Sequence, residues 1–347
     1  MLRVYSLDKA TEWDDIVTSF KNYDVYYLSG YVKAFKINGD GEPLLYYYEK
    51  NNTRAINVVI KRDISKSGNF SQMESNTYYD FVTPYGYGGW LIEGEDYEAL
   101  ASEYENACIE ENIVSEFVRF NPVLKNHLRI ENMYAQVCLG RTVYINTLDK
   151  EEVWRNFTSK NRNMVRKAQK NGLRVFWGRD TSLIPIFMEI YNNTMDKDQA
   201  ESYYYFKQDF YESILEDLKQ NAMWFYVKYN DEIIAMAIFL FCNEKMHYHL
   251  SASKTEFQFL APTNLLIYEA AVWAESHGYK KLHLGGGVGA SDDGLYRFKK
   301  SFNRGEDLDF FIGKKIFCNE IYSRLEAAHM KEHPEKQQST FFPKYRA

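Results

Sequence analysis

Cysteine is scarce in this chain of 347 residues: Cys108, Cys138, Cys242 and Cys318 lie far apart and form no C-x-x-C pair. That argues against a disulfide framework and a thiolate zinc site, and a reducing compartment fits. No stretch approaches the roughly 18 consecutive apolar residues of a spanning helix, so no integral membrane segment is expected. The opening MLRVYSLDKATEWDD carries acids where a secretory leader needs an apolar run, and the expectation is a cytoplasmic protein. G-x-S-x-G and Walker loops are both missing, which leaves serine hydrolase and P-loop NTPase readings without support.

What is present is ordinary for a globular chain, at 45% hydrophobic and 26% charged residues. The length suits two domains, each able to bury its own core. The net charge of -6 is unevenly spread. Residues 1–150 hold 15 Lys+Arg against 22 Asp+Glu, a net of -7, and the remainder holds 27 against 26, a net of +1. Any anion site must therefore be local, and a non-specific nucleic-acid binder is not indicated. Tyrosine is abundant, at 29 residues, and joins an apolar body to a polar tip, which suits half-wet clefts as well as cores.

Patterning predicts helices over 10–21 and 96–112, a hairpin of 44–50 and 53–62 turning at Asn51-Asn52, and strands over 115–120 and 136–147. Beyond them it predicts helix 159–170 stopped by Asn171-Gly172, strand 173–177, helices 182–195 and 207–220, and strands 223–229, 232–242 and 245–253. Helix 263–277, strand 280–285, helix 291–302 and strand 308–313 follow. Three antiparallel strands, a crossover helix and a further strand imply a mixed sheet flanked by helices. A faint echo relates Ser6-Leu7-Asp8-Lys9, followed by Trp13, to Thr147-Leu148-Asp149-Lys150, followed by Trp154. It suggests two copies of one fold, with domains at 1–147 and 148–332 and a tail of 333–347 that packs back on the surface.

Three segments carry chemistry. In SKNRNMVRKAQKNG (159–172), Arg162, Arg166 and Lys170 share one helix face, and no Asp or Glu occurs from Val153 to Arg179. Such a ridge attracts phosphates, because guanidinium binds their oxygens bidentately; a solvated face is the plainer alternative. In HLGGGVGASDDGLYRFKKSF (283–302), a strand runs through glycines into a helix bearing Tyr296, Lys299 and Lys300. Gly285-x-Gly287-x-x-Ala290 imitates a dinucleotide fingerprint, but too few strands follow it; the glycines read better as letting backbone pass close to a ligand or a neighbouring strand. A lysine there can neutralise the oxyanion of a tetrahedral intermediate, the alternative being surface solubility. YYDFVTPYGYGGW (78–90) reads as a rigid, exposed loop of the kind that lines clefts, or as a structural turn cluster. His247 and His249, two apart on one strand, face the same side by alternation, and no further ligands stand at motif spacing, so no metal is expected.

Taken in order, VYYLSGYVKAF (25–35), TPYGYGG (83–89), SKNRNMVRKAQKNG, YHLSAS (248–253) and LGGG…LYRFKKSF (284–302) resemble the Fem-type (FemAB/FemX-like) peptidoglycan-bridge aminoacyltransferases of the GNAT acyltransferase superfamily. The resemblance implies an α+β fold: a tandem pair of GNAT-like domains, each a mixed, mostly antiparallel sheet flanked by helices. It implies transfer of an amino acid from aminoacyl-tRNA to an amine on a UDP- or lipid-linked muropeptide or amino-sugar precursor of peptidoglycan or another surface polymer. No metal or organic cofactor is used, and contact with the inner-membrane surface is open to such a protein. By the same match, Lys299 is the charge stabiliser. Lys33, Arg162 and Arg166 contact precursor phosphates or carboxylates, and Tyr85, Tyr87, Tyr248, Ser251, Tyr296 and Lys300 complete the substrate cleft. No general base is evident.

Two departures qualify the match. The segment between 195 and 223 is too short for the long helical arm of the best-known members. Where an ordinary GNAT enzyme has a glycine-rich pyrophosphate loop, this chain reads KTEFQFLAPTN (254–264), without glycine. A conventional GNAT N-acetyltransferase using acetyl-CoA or another acyl-CoA on an amino sugar or peptide, and a non-catalytic precursor-binding protein, stand as alternatives.

Overall fold

The computed structural model describes residues 1–95 and 97–347, with Asn69 described in its backbone only. The fold is α+β, with mixed sheet flanked by helices. In chain order the elements are β1 (Leu2–Tyr5), α1 (Ala10–Ser19), α2 (Ser29–Asn38), β2 (Glu42–Lys50), β3 (Thr53–Asp63), β4 (Tyr79–Val82), β5 (Leu91–Glu93), α3 (Glu98–Glu110), β6 (Ile113–Arg119) and β7 (Ala135–Asn146). Then come α4 (Lys150–Asn156), α5 (Ser159–Lys170), β8 (Arg174–Gly178), α6 (Ile184–Lys197), α7 (Gln208–Asp217), β9 (Ala222–Tyr229), β10 (Glu232–Cys242), β11 (Lys245–Ser253), α8 (Pro262–Ser276), β12 (Lys281–Gly285), α9 (Gly294–Lys300), β13 (Leu308–Ile316) and α10 (Asn319–Glu332). Among the described residues no helix is long and apolar enough to cross a membrane.

The chain divides into two compact units, Met1–Leu139 with Phe310–Ala347, and Gly140–Asp309. Residues 310–347, placed by the sequence pattern in the second domain and tail, thus count with the first unit. The reason lies in two contacts: β13 pairs antiparallel with β6, and the tail's Tyr345 is wholly buried beside Ser115.

In the first unit the strands run β1-β2-β3-β4-β6-β13, with β5 paired to β3. All described pairs are antiparallel except β4 with β6. Alternation on β6 sends neighbouring side chains to opposite faces. Glu116 enters a core of Tyr46, Tyr48, Trp90, Tyr104 and Cys108. There its carboxylate accepts from Tyr134 OH (2.8 Å), Tyr104 OH (3.0 Å) and Asn57 Nδ2 (3.0 Å). Burial pushes this carboxyl up to about 7, although the three donors oppose the shift. Ser115 faces the other way and shares a 2.8 Å hydrogen bond with Tyr345 OH. Tyr345 also donates to the buried Asp80, which accepts from Arg62 (2.8 Å) and Arg346 (2.5 Å). The tail is therefore inserted into the unit rather than laid on its surface.

Of the two readings of the tyrosine-glycine segment 78–90, the structure bears out the structural turn cluster and corrects the exposed loop. Tyr79–Val82 is β4, and Tyr87 and Trp90 are buried. Gly86, at φ +97°, makes this possible: a Cβ there would stand 2.5 Å from the Tyr26 ring, so only glycine lets the turn enter the aromatic layer.

The second unit orders its strands β7-β12-β11-β10-β9-β8, antiparallel except β11 with β12. One face carries α4, α5 and α8 over Phe225, Phe239, Phe241 and Leu282. The other carries α6, whose Phe187 ring meets Trp224 at 4.8 Å and Tyr211 at 5.4 Å. Each fully buried aromatic of this kind contributes about 2–3 kcal/mol through area removed from water.

Candidate active site

The parallel pair of the second unit holds together for only three residues, Lys245–His247 opposite Lys281–His283. β11 continues to Ser253 against β10, and among the described residues no strand lies on the other side of Tyr248–Ser253. Openings beyond the carboxyl ends of parallel strands are where α/β sheets receive ligands. At this point β11 also bulges: Ile238 pairs with Leu250 and Phe239 with Tyr248, which leaves His249 as an extra residue. The strict alternation expected of His247 and His249 is broken there. His247 and His283 are buried with rings 5.6 Å apart, and burial, then the neighbouring His247, lowers His249 to about 3. His249 is therefore neutral across physiological pH. Among the described residues no three His, Cys, Asp or Glu side chains are placed to hold a metal.

Past β12 the glycines permit close backbone approach. A Cβ on Gly286 would lie 2.8 Å from Arg141 O, midway along the neighbouring β7, and one on Gly287 would collide with Ser291 O and the Asp293 carboxylate. Asp293 caps α9, accepting from Tyr296 N (2.8 Å) and Val288 N (2.9 Å). Burial alone would raise this carboxyl, but the backbone donors outweigh it and the pKa is lowered.

The cap aims α9 so that Lys299 turns inward. Only 9% exposed, its Nζ donates to Gly286 O at 2.7 Å. Burial lowers its pKa to about 8, with Asp293 pulling the other way. Lys300 turns instead to Asp307 (2.7 Å) and Gly305 O (2.6 Å). Tyr296 OH donates to the same Asp307 at 2.6 Å; burial, then this carboxylate, pushes the phenol up to about 12. Asp307 thus ties two candidate residues together as an internal ion-pair network. On β11, burial raises Tyr248 to about 12, offset in part by a hydrogen bond with Ser251.

The basic helix stands where the sequence put it, with Val165 and Ala168 buried and Arg166 exposed. Its cations differ in use. Arg162 Nη1 donates to Phe157 O and to Arg155 O (3.3 Å), and Nη2 to Ser159 Oγ (3.2 Å). Arg304 Nη2 donates to the same Arg155 carbonyl at 2.6 Å. Two guanidinium groups therefore cap the C-terminal end of α4, where helix carbonyls lack partners. Arg166 stacks over Trp154 at 5.1 Å. Among the described residues Arg155, Arg162, Arg166 and Arg304 form no ion pair, so the positive field is uncompensated. Arg304 and Asn161 were missed in the sequence. Asn161 donates to Ser301 O (3.3 Å) and accepts from Asn264 (2.7 Å), locking α5 and α8 to the end of α9; an S/T-x-x-N start is too common a pattern to have singled it out.

In the first unit, Lys33 is exposed on α2, two residues before Phe35, whose ring stacks on Tyr85 at 6.0 Å. Tyr87 meets Tyr26 at 5.5 Å and Phe310 at 5.6 Å. Burial raises Tyr87 to about 12, with Arg119 lowering it.

The second unit thus presents a parallel strand pair that parts after three residues, with a buried lysine beyond it. Residues 155–300 match the Acetyltransferase (GNAT) domain family. The chain therefore carries a GNAT acyltransferase domain and is an enzyme that transfers an acyl group to an amine-bearing substrate. Among solved structures, that of FemX shares 16% identity, covers 93% of this chain and 99% of its own, and superposes with a TM-score of 0.66. A conserved protein of unknown function from Bacteroides thetaiotaomicron shares 10% identity over 90% of this chain and 99% of its own, with a TM-score of 0.59. The C-terminal domain of what is described as a lysylphosphatidylglycerol synthetase from Agrobacterium fabrum shares 11% over 89% and 91%, at 0.56. At these identities the likeness is one of fold. No curated protein matches the chain.

Proposed function

We propose that this chain is a tandem GNAT-like, Fem-type aminoacyltransferase. In this reading it moves an aminoacyl group from aminoacyl-tRNA to an amine on a UDP- or lipid-linked precursor of peptidoglycan or a related surface polymer, in the cytoplasm. The observation that carries the reading is Lys299: a buried, singly hydrogen-bonded ammonium just beyond the point where β11 and β12 part. The acceptor amine attacks the ester carbonyl carbon. A C–N bond forms, and negative charge gathers on the carbonyl oxygen, where the Lys299 ammonium stabilises it. Collapse breaks the ester C–O bond, and the proton lost by the amine ends on the departing ribose hydroxyl. Tyr248, Ser251 and Tyr296 line the opening, and positioning supplies the rest. In the second unit Arg162 and Arg166 attract the anionic precursor; in the first, Lys33 offers a cation of its own and Tyr85 and Tyr87 offer ring surface.

One observation favours a second reading, acetyl-CoA as donor: the matched family is described as an acetyltransferase domain. Against it, the 254–264 segment forms a 3-10 turn (Thr255–Leu260) that runs through Ala261 into Pro262 at the start of α8, with no glycine to let backbone amides crowd round a pyrophosphate.

The test is a thermal-shift screen of the full chain with UDP-muropeptide, coenzyme A and charged tRNA, joined to turnover assays. Stabilisation by UDP-muropeptide and none by coenzyme A is expected. Stabilisation by coenzyme A alone would overturn the donor assignment. Because the ammonium form is the useful one, turnover falls as pH rises through about 8; K299R, which stays charged, loses that fall, and K299A loses at least 100-fold in kcat.

A further inference from the structure

Arg119 ends β6 in the first unit and is half-buried. Its guanidinium carbon lies 5.7 Å from the centroid of Tyr85 and 5.8 Å from that of Phe310, so the fork lies within cation–π reach of two rings. The main chain around it is fixed: Arg119 N donates to Thr83 Oγ1 (3.2 Å), its carbonyl accepts from Gly88 N (2.8 Å), and it pairs with Ile312 across the β6–β13 ladder. Tyr87 packs edge-on against Phe310 and closes the same corner.

The other half-buried arginines of this unit all spend their side chains on protein acceptors. Arg54 holds Glu93 (2.6 Å), Arg62 and Arg346 hold Asp80, and Arg129 donates to the carbonyls of Ile92 (3.1 Å) and Gly94. Arg119 is the exception. Among the described residues its guanidinium makes no hydrogen bond and no ion pair, only the two ring contacts. A partly desolvated cation is expected to be paired, and the two ring contacts leave its N–H donors unused. Five donors in a rigid fork match an oxyanion bidentately, which a lysine in the same slot would not.

We propose that Arg119, walled by Tyr85 and Phe310, is a binding site for a ligand oxyanion, a carboxylate or a phosphate. That this oxyanion belongs to the acceptor of the transfer reaction rests on the function proposed above; the site itself does not. Tyr85 and Tyr87, marked by the sequence as cleft residues, gain the cation they lacked.

The experiment titrates the full-length, 15N-labelled chain with sodium pyrophosphate and, separately, with sodium succinate, at ionic strength held constant with NaCl. The Nε–Hε signal of Arg119 is identified by its loss in R119K. A saturable shift with pyrophosphate alone assigns a phosphate, and with succinate alone a carboxylate; either supports the site. R119K is expected to bind the effective probe at least tenfold more weakly by calorimetry, with unchanged far-ultraviolet circular dichroism. F310L, which keeps the cation and loosens one wall, is expected to fall in between. No saturable shift with either probe, or R119K binding as tightly as the unmodified chain, overturns the proposal. K299A, inactive under the transferase reading, keeps the Arg119 response. An unmodified chain that binds the probe yet transfers nothing removes the acceptor assignment and leaves the oxyanion site standing.

Discussion

Glu116 is the carboxyl of the first unit that burial shifts furthest, and it makes stability depend on pH. Glu116 titrates near 4.5 in an unfolded chain and near 7 in the fold, where burial favours its neutral form. The stabilisation is fully present below pH 4.5 and is lost as pH rises from there through 7, because the unfolded state ionises first. The shift corresponds to about 3 kcal/mol at most. In E116Q, which keeps the size and can still accept from Tyr104 and Tyr134, urea midpoints measured between pH 4.5 and 8 should vary less than in the parent by that order. An unchanged pH slope in E116Q would assign the effect elsewhere. At this scale the sequence was informative only where a residue's neighbours are local. Lys299 could be marked because the segment that carries it, 284–302, resembles a Fem-type motif as a whole, and its cap, Asp293, and its acceptor, Gly286, lie within that same segment. Glu116 and Arg119 could not, since their partners come from Asn57, Tyr134 and Phe310 on other elements.

Secondary elements were legible when their own residues carried both a period and a stop. α5 shows the rule: Thr158 caps it, Val165 and Ala168 mark its inner face, and Gly172, at φ +78°, ends it. α2 escaped because Leu28 at its start supplies no side-chain cap and its exposed stripe amounts to little more than Lys33 and Lys36, beside the buried Tyr31, Val32, Ala34 and Phe35. β4 escaped because its four residues merge into a glycine-tyrosine segment with the composition of a loop. That segment's burial hinges on Gly86. G86A should destabilise the chain by about 2–4 kcal/mol, the sum of left-handed backbone strain and overpacking on Tyr26, measured as a lower urea midpoint with m unchanged. A loss below 0.5 kcal/mol would mean that the aromatic layer yields easily.

On the scale of the whole chain, the internal echo pointed to two domains, but not to the route between them. Composition cannot tell that residues 310–347 complete the first unit, because the decisive contacts, Ser115 with Tyr345 and Asp80 with Arg346, join positions more than two hundred residues apart. The second unit is thus an uninterrupted segment, while the first is assembled from both sides of it. This dictates an order during synthesis. As the nascent polypeptide leaves the ribosome, residues 140–309 emerge as a contiguous set able to close on themselves, whereas β6 waits for a partner strand still to be translated. Ribosome-stalled chains ending near 309 should resist protease over 140–309 and be cut within 1–139. Uniform resistance in both would show that the earlier half matures without its last strand. Asp80, meanwhile, is an acid with no cation from the tail to receive it until translation is all but over, a window in which a chaperone has the longest claim on the earlier half.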